Sequence, residues 1–356
     1  MANNTLFEEY KYFNFKFPTP QYLGAKINFL PWITQFLPDN INTVLDAFAG
    51  SQSVSYYFKQ LGFQTLTNDF LNFNNQIGMA LVENSDEHLD SHDIEILLEE
   101  SPNKSEYTLM NDVFTGIFFQ KEDAEFIDNF RANIPRLNNK YKQALAFASM
   151  NRSLTRKITM GHFAHTQALV YANNPERVKR NRSLIRPVQE LFLEILPQYN
   201  NAIFDNGKDN KSFNENILDL LPKLSNMRID LVYFDPPYCD SHADYQSFYH
   251  LLETYTEYWR DKQFVNGIKR YEPQRQSGFD KKSDIILSFH QLFELSDFIP
   301  NWILSYNNRS YPDINTMVDL IKPFRNVQVE HKTYSNSRGG KGSVAGSSEV
   351  LLICTK

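Results

Sequence analysis

Residues 42–69 constrain the fold of this chain more than any other stretch. Asn42-Thr43-Val44-Leu45-Asp46-Ala47-Phe48-Ala49-Gly50 reads as a buried strand opening into a turn of small residues. Ser51 then stands where a helix N-cap belongs, with the helix running through Tyr56 and Phe58 to a stop at Gly62. Phe63 to Thr67 is a second strand, ending at Asn68-Asp69. A strand, turn, helix and strand in this order form one unit of a doubly wound sheet. Asp69 lies nineteen positions beyond Gly50, at the tip of the second strand, where a carboxylate accepts hydrogen bonds from ribose hydroxyls. The turn holds one glycine rather than three, which disfavours a dinucleotide, whose pyrophosphate must come close to the backbone. Taken alone, the segment also fits an ordinary strand–turn–helix unit with no ligand.

A second apolar run, Ile229-Asp230-Leu231-Val232-Tyr233-Phe234, feeds directly into Asp235-Pro236-Pro237-Tyr238. Two prolines fix φ and supply no N–H donors, so the ladder stops there and the turn's carbonyls are free to accept hydrogen bonds. A carboxylate at one end and an aromatic ring at the other suit an exocyclic amine on a planar base: acceptors for its hydrogens and a face to stack on. As an isolated string, the four residues read equally as an ordinary Pro-Pro turn.

Together with Tyr22-Leu23-Gly24-Ala25-Lys26, these two segments resemble the amino-terminal, cofactor-loop and catalytic motifs of DNA adenine-N6 methyltransferases, in the order of the alpha group. Asp235 to Glu253, including Tyr249-His250-Leu251-Leu252-Glu253, is also similar to modification enzymes of type II restriction systems. Ile303-Leu304-Ser305-Tyr306-Asn307-Asn308 and Ser347-Ser348-Glu349-Val350-Leu351-Leu352-Ile353 resemble their late strands. The chain departs from the pattern twice. Gln52 stands where many members have a second glycine, and Asn216 where an aspartate commonly touches the cofactor adenine.

The resemblance implies an α/β fold: a doubly wound, Rossmann-like methyltransferase sheet formed by residues 1–75 and 205–356, with residues 76–204 as an inserted, mainly helical recognition domain. It implies S-adenosylmethionine as cofactor, with Asp46 and Gly50 orienting the methionine part, Phe48 packing on it and Asp69 holding the ribose. Asn216 would contact the adenine, and Tyr22 and Lys26 would complete the wall. Adenine, flipped out of double-stranded DNA, would stack on Tyr238 while Asp235 and the Pro236 carbonyl accept from its amine. Asp235 and Pro237 complete the catalytic turn, and no metal is required. Cytosine-N4 methylation, an RNA or protein-glutamine substrate, and a DNA-binding protein with an inactive fold stay open at this level. A cognate restriction endonuclease acting separately is the expected partner, in the bacterial cytoplasm on nucleoid DNA.

With 356 residues, 42% hydrophobic and 22% charged, the chain has the composition of a globular protein with room for two domains. No long apolar run suggests a membrane span, and the start, Met1-Ala2-Asn3-Asn4, lacks the basic region of a signal peptide. Cys239 and Cys354, without a CxxC pair, predict neither a disulfide framework nor a zinc site.

The net charge of −6 hides a division along the chain. Acids dominate from Glu83 to Asp128, which predicts a solvated helical face turned away from DNA. Between Arg136 and Arg186 there are eleven basic residues against the single acid Glu176, a balance of +10. Arg152, Arg156, Lys157, Arg177, Lys179, Arg180 and Arg182 are the candidate phosphate contacts there. Lys269 and Arg270 begin a second basic run, through Arg275 to Lys281 and Lys282, that reads either as a loop closing over a flipped nucleotide or as plain surface. Apolar spacing predicts helices over Glu122–Phe130 and Tyr141–Met150. His162 and His165 lack metal-ligand neighbours, and Gly339-Gly340-Lys341-Gly342 reads as a turn between late strands.

Overall fold

The structure is a computed structural model that describes residues 12–158, 161–164, 168–237, 245–260, 262–265, 270–272, 275–333 and 348–356. Tyr238, Cys239, His165, Lys269 and the Gly339–Gly342 turn fall outside the described residues.

Seven strands form one sheet: β1 Thr43–Asp46, β2 Gln64–Asn68, β3 Lys211–Phe213, β4 Leu231–Phe234, β5 Asn301–Asn307, β6 Asn326–Thr333 and β7 Ser348–Thr355. Their spatial order is β3-β2-β1-β4-β5-β7-β6. The first five run parallel, and β7 inserts antiparallel between β5 and β6. The order reverses between β1 and β4, the position at which an open α/β sheet leaves a crevice at its strand ends.

Side chains alternate strictly across the sheet. Leu45, Val232, Phe234, Trp302, Leu304 and Leu352 join the core on one face. Their neighbours Val44, Leu231, Tyr233, Ile303 and Leu351 join the core on the other. Both faces are therefore covered, which is why these strands read as continuous apolar runs.

Helices Lys121–Asn133 and Lys140–Arg156 form as the apolar spacing predicts, each longer than expected. The acidic helix Ser91–Leu98 is closed by a capping box between Asp90 and Asp93. The expected division at residue 75 falls inside the helix Asn72–Gly78. The core of the helical region, with Leu97, Phe130, Leu145 and Phe192, is continuous with Tyr56 and Phe73 from the sheet's own helices and with Tyr249, Leu252 and Tyr255. No cut at residue 75 avoids splitting that core. Among the described residues no helix is long and apolar enough to cross a membrane.

The helix His250–Glu257, after β4, carries a buried carboxylate, Glu253. It accepts from the backbone N–H groups of Asn72 and Phe73, both at 2.9 Å, and so caps the helix that follows β2. Burial pushes its pKa up to about 7, against the lowering effect of those two hydrogen bonds. Glu253→Ala removes the acceptor from both N–H groups. It should lower the unfolding free energy by about 1–3 kcal/mol in urea titration, and a loss under about 0.5 kcal/mol would contradict this role.

Candidate functional site

The tips of β1, β2 and β4 border one cavity of about 1000 Å³, open to solvent. Ten sequence-predicted residues, Tyr22, Lys26, Asp46, Phe48, Gly50, Asp69, Asn216, Asp235, Pro236 and Pro237, are all in its wall. Asp46 ends β1, Asp69 follows β2 and Asp235 follows β4. Three carboxylates thus meet because parallel strands end on the same side.

Each is held differently. Asp69 accepts from Gly50 N–H at 2.7 Å, Leu71 N–H at 2.8 Å and Asn74 Nδ2 at 3.1 Å. It fixes the small-residue turn as well as facing the cavity, and burial raises its pKa against those hydrogen bonds. Asp46 accepts from Ser55 Oγ at 2.6 Å through Oδ2, while its buried Oδ1 has no hydrogen-bond partner among the described residues. Burial pushes its pKa up to about 7, with Asp235 and Asp69 adding repulsion and Ser55 opposing. A carboxylate with one oxygen unmatched by its neighbours suits a ligand's ammonium group. Asp235 is paired through Oδ1 with Lys26 Nζ at 2.9 Å.

The turn after β1 differs from expectation at its end. Gly50 and Gln52 both have positive φ, +48° and +65°. Gln52, not Ser51, is the N-cap of helix Ser53–Gln60, and it makes no side-chain cap. Its backbone needs the glycine-like conformation that the family pattern carries at this place. Its side chain compensates by donating to Asn74 O at 3.2 Å and accepting from Thr67 at 2.6 Å. A Cβ on Gly50 would lie 3.0 Å from the ring of Tyr22. That ring stacks on Tyr249 at 4.6 Å, 6° from parallel, and Tyr249 accepts from Leu23 N–H at 2.7 Å.

On the opposite wall Phe48 meets Phe279 edge-on at 5.1 Å. Asn216 caps the helix Ile217–Leu224 through Oδ1 and donates from Nδ2 to Gln276 O at 3.2 Å. Asparagine and aspartate both serve as such a cap. Ser277, Phe279 and Asp280 also line the cavity; they lie within the second basic run, whose charges drew the sequence reading while these uncharged and acidic neighbours were not singled out.

Residues 22–330 match the D12 class of N6 adenine-specific DNA methyltransferases. The chain belongs to that class. It is 33% identical to the Type II methyltransferase M2.HphI of Haemophilus parahaemolyticus, over 96% of this chain and 98% of that protein. It is 27% identical to the modification methylase LlaI of Lactococcus lactis subsp. lactis, over 94% of this chain and 55% of the relative, so it spans about half of that longer protein. It is 21% identical to the Type II methyltransferase M.CviAII of Paramecium bursaria Chlorella virus 1, over 93% of this chain and 97% of that protein. Of the reactions left open by the residues alone, the class decides for adenine N6 in DNA, and a methyltransferase of this class uses a methyl donor.

The basic interval is corrected by the structure. Lys157 is buried, ion-paired with Asp123 at 2.8 Å and donating to Arg186 O at 2.6 Å. Arg152 donates to Thr19 O at 3.0 Å and Gln21 Oε1 at 2.9 Å, and burial lowers its pKa. Arg156 binds Ser183 and pairs with Glu194 at 3.1 Å. Arg136, Lys140 and Lys142 pair with Glu99, Glu83 and Asp93. Acids from outside residues 136–186 thus neutralise much of the +10, including some from the segment expected to face away. Arg177, Lys179, Arg180 and Arg182 remain at the surface, on the helix Pro175–Arg180 and the turn after it. Arg270 is half-buried.

Two kinds of basic residue should therefore behave differently. Neutralising Arg177, Lys179, Arg180 and Arg182 should weaken DNA binding and flatten its salt dependence, by about 0.9 in log–log slope for each phosphate no longer neutralised. Lys157→Met should instead leave Asp123 a buried charge without its cation and cost about 3–5 kcal/mol of stability without flattening the slope. Fluorescence-anisotropy titrations across salt, with urea unfolding beside them, check both. A flattened slope in Lys157→Met would contradict the division.

Proposed function

We propose that this chain is the modification methylase of a type II restriction–modification system, with a cognate endonuclease acting separately, and that its methyl donor is S-adenosylmethionine. The observation that carries the site assignment is the pair of carboxylates, Asp46 and Asp235, on one cavity wall at adjacent strand tips. One has an unmatched oxygen suited to a cationic amine, and the other begins the Asp-Pro-Pro turn.

S-adenosylmethionine supplies an electrophilic methyl group on a sulfonium. Asp46 would hold its ammonium, and the turn fixed by Asp69 would hold the backbone of Ala49 and Gly50 against the methionine part. Phe48 packs on the nucleoside, beside Asn216 and the loop bearing Phe279. Asp235 and the Pro236 carbonyl accept from the hydrogens of adenine N6, turning the nitrogen lone pair toward the methyl group. The methyl carbon would bond to N6 as its bond to sulfur breaks and the donor leaves as a thioether; N6 gains positive charge, which a nearby carboxylate stabilises until one N6 hydrogen departs as a proton. Tyr238 supplies the stacking face for the flipped base.

The two carboxylates should separate in one experiment, donor titration by calorimetry from pH 5.5 to 8.5 beside a methyl-incorporation assay. Asp235→Ala should lose transfer while donor affinity survives. In the wild-type protein donor affinity should fall as pH drops below about 7, where Asp46 becomes protonated, approaching tenfold per unit. Asp46→Asn should bind weakly with that pH dependence removed. Full transfer by Asp235→Ala, or an unchanged pH dependence in Asp46→Asn, would remove the assignment.

A further inference from the structure

Because β7 runs antiparallel, it begins at the strand tips where its parallel neighbours end, and it delivers Glu349 to the site from the far end of the chain. Glu349 is 1% exposed, with Oε1 3.4 Å from Lys26 Nζ. Ser305, two residues before the end of β5, donates its hydroxyl to the same Oε1 at 2.6 Å. Lys26, itself buried, therefore lies between two carboxylates, Asp235 at 2.9 Å and Glu349, and also donates to Gly24 O at 3.2 Å. The ammonium is thus held by one backbone hydrogen bond and two ion pairs.

We propose that Glu349 is a positioning residue for methyl transfer, holding Lys26 on Asp235 Oδ1 so that the Asp235 carboxylate keeps its orientation and its negative character toward the substrate amine. The inference rests on the assignment of Asp235 made above. Its logic is electrostatic. A lone buried cation beside Asp235 would cancel the charge that the attacking nitrogen needs. Two carboxylates sharing one ammonium leave a net charge of −1 where positive charge develops, carried by side chains held largely out of solvent. The pairing also offsets the burial of Glu349, since desolvating an anion costs more than a neutral hydroxyl returns.

Glu349→Gln tests this in the full-length protein, because the amide is isosteric and its carbonyl still accepts from Ser305. Single-turnover methylation of duplex DNA should slow roughly 10- to 100-fold, while donor affinity by calorimetry and the KM for DNA stay within about twofold of wild type. Lys26→Met should slow transfer as well, and adding Glu349→Gln to it should cost nothing further, since the glutamate acts through the lysine. Ser305→Ala, which removes the tether and keeps the charge, should give a smaller loss of the same kind and serves if Glu349→Gln fails to fold. Wild-type rates in Glu349→Gln, or additive losses in the double variant, would overturn the proposal while leaving Asp235 in place. An active Asp235→Ala would instead bring down the reading on which it stands.

Discussion

One buried ammonium holds the site together. Lys26 contacts Asp235 from β4 and Glu349 from β7, joining a segment before the first strand to the last strand of the chain. Four carboxylates crowd the tips of the sheet: Asp46, Asp69 and Glu349 are buried and Asp235 is half-buried, each at a cost that something nearby must offset. Asp69 is offset by backbone and amide donors, and Asp235 and Glu349 by the lysine. Asp46 has one oxygen matched by Ser55 and the other left over. The imbalance is concentrated at that one buried oxygen.

The helical region serves the sheet rather than standing apart from it. Glu253 caps the helix after β2, Tyr249 stacks on Tyr22, and Tyr249 also accepts from the amino-terminal motif. The segment that follows the Asp-Pro-Pro turn is therefore tied both to the donor side of the cavity and to the helical core. Packing and a buried helix cap thus join the helices after β2 and β4 to the wall of the cavity. Within residues 136–186, Arg177, Lys179, Arg180 and Arg182 lie exposed on one short helix and the turn after it, a narrower footing than the raw charge balance implied.

What could be read from residues alone was local. The strand–turn–helix–strand of residues 43–68 and the strand before Asp235 form nearly where expected because their apolar runs are buried on both faces, and their ends are marked by glycine, proline and aspartate. The long-range pairings were hidden. Lys157 looked like a surface cation because Asp123 lies outside the basic interval, and the chain must fold before the two meet. Glu349 was noticed only as part of a late strand, since its role depends on β7 running against its neighbours. Gln52 looked like a departure from a glycine pattern, and it keeps the glycine's backbone conformation at +65° with buried hydrogen bonds around its side chain.

The central claim is that the cavity at these strand tips methylates adenine N6 in duplex DNA at a defined sequence. Base-modification sequencing of DNA from a methylation-free host expressing this chain tests it most directly. The account predicts N6-methyladenine at one short sequence motif throughout the genome, and none when Asp235 is replaced by alanine. N4-methylcytosine in its place, or DNA left unmodified by a folded, donor-binding protein, would contradict it.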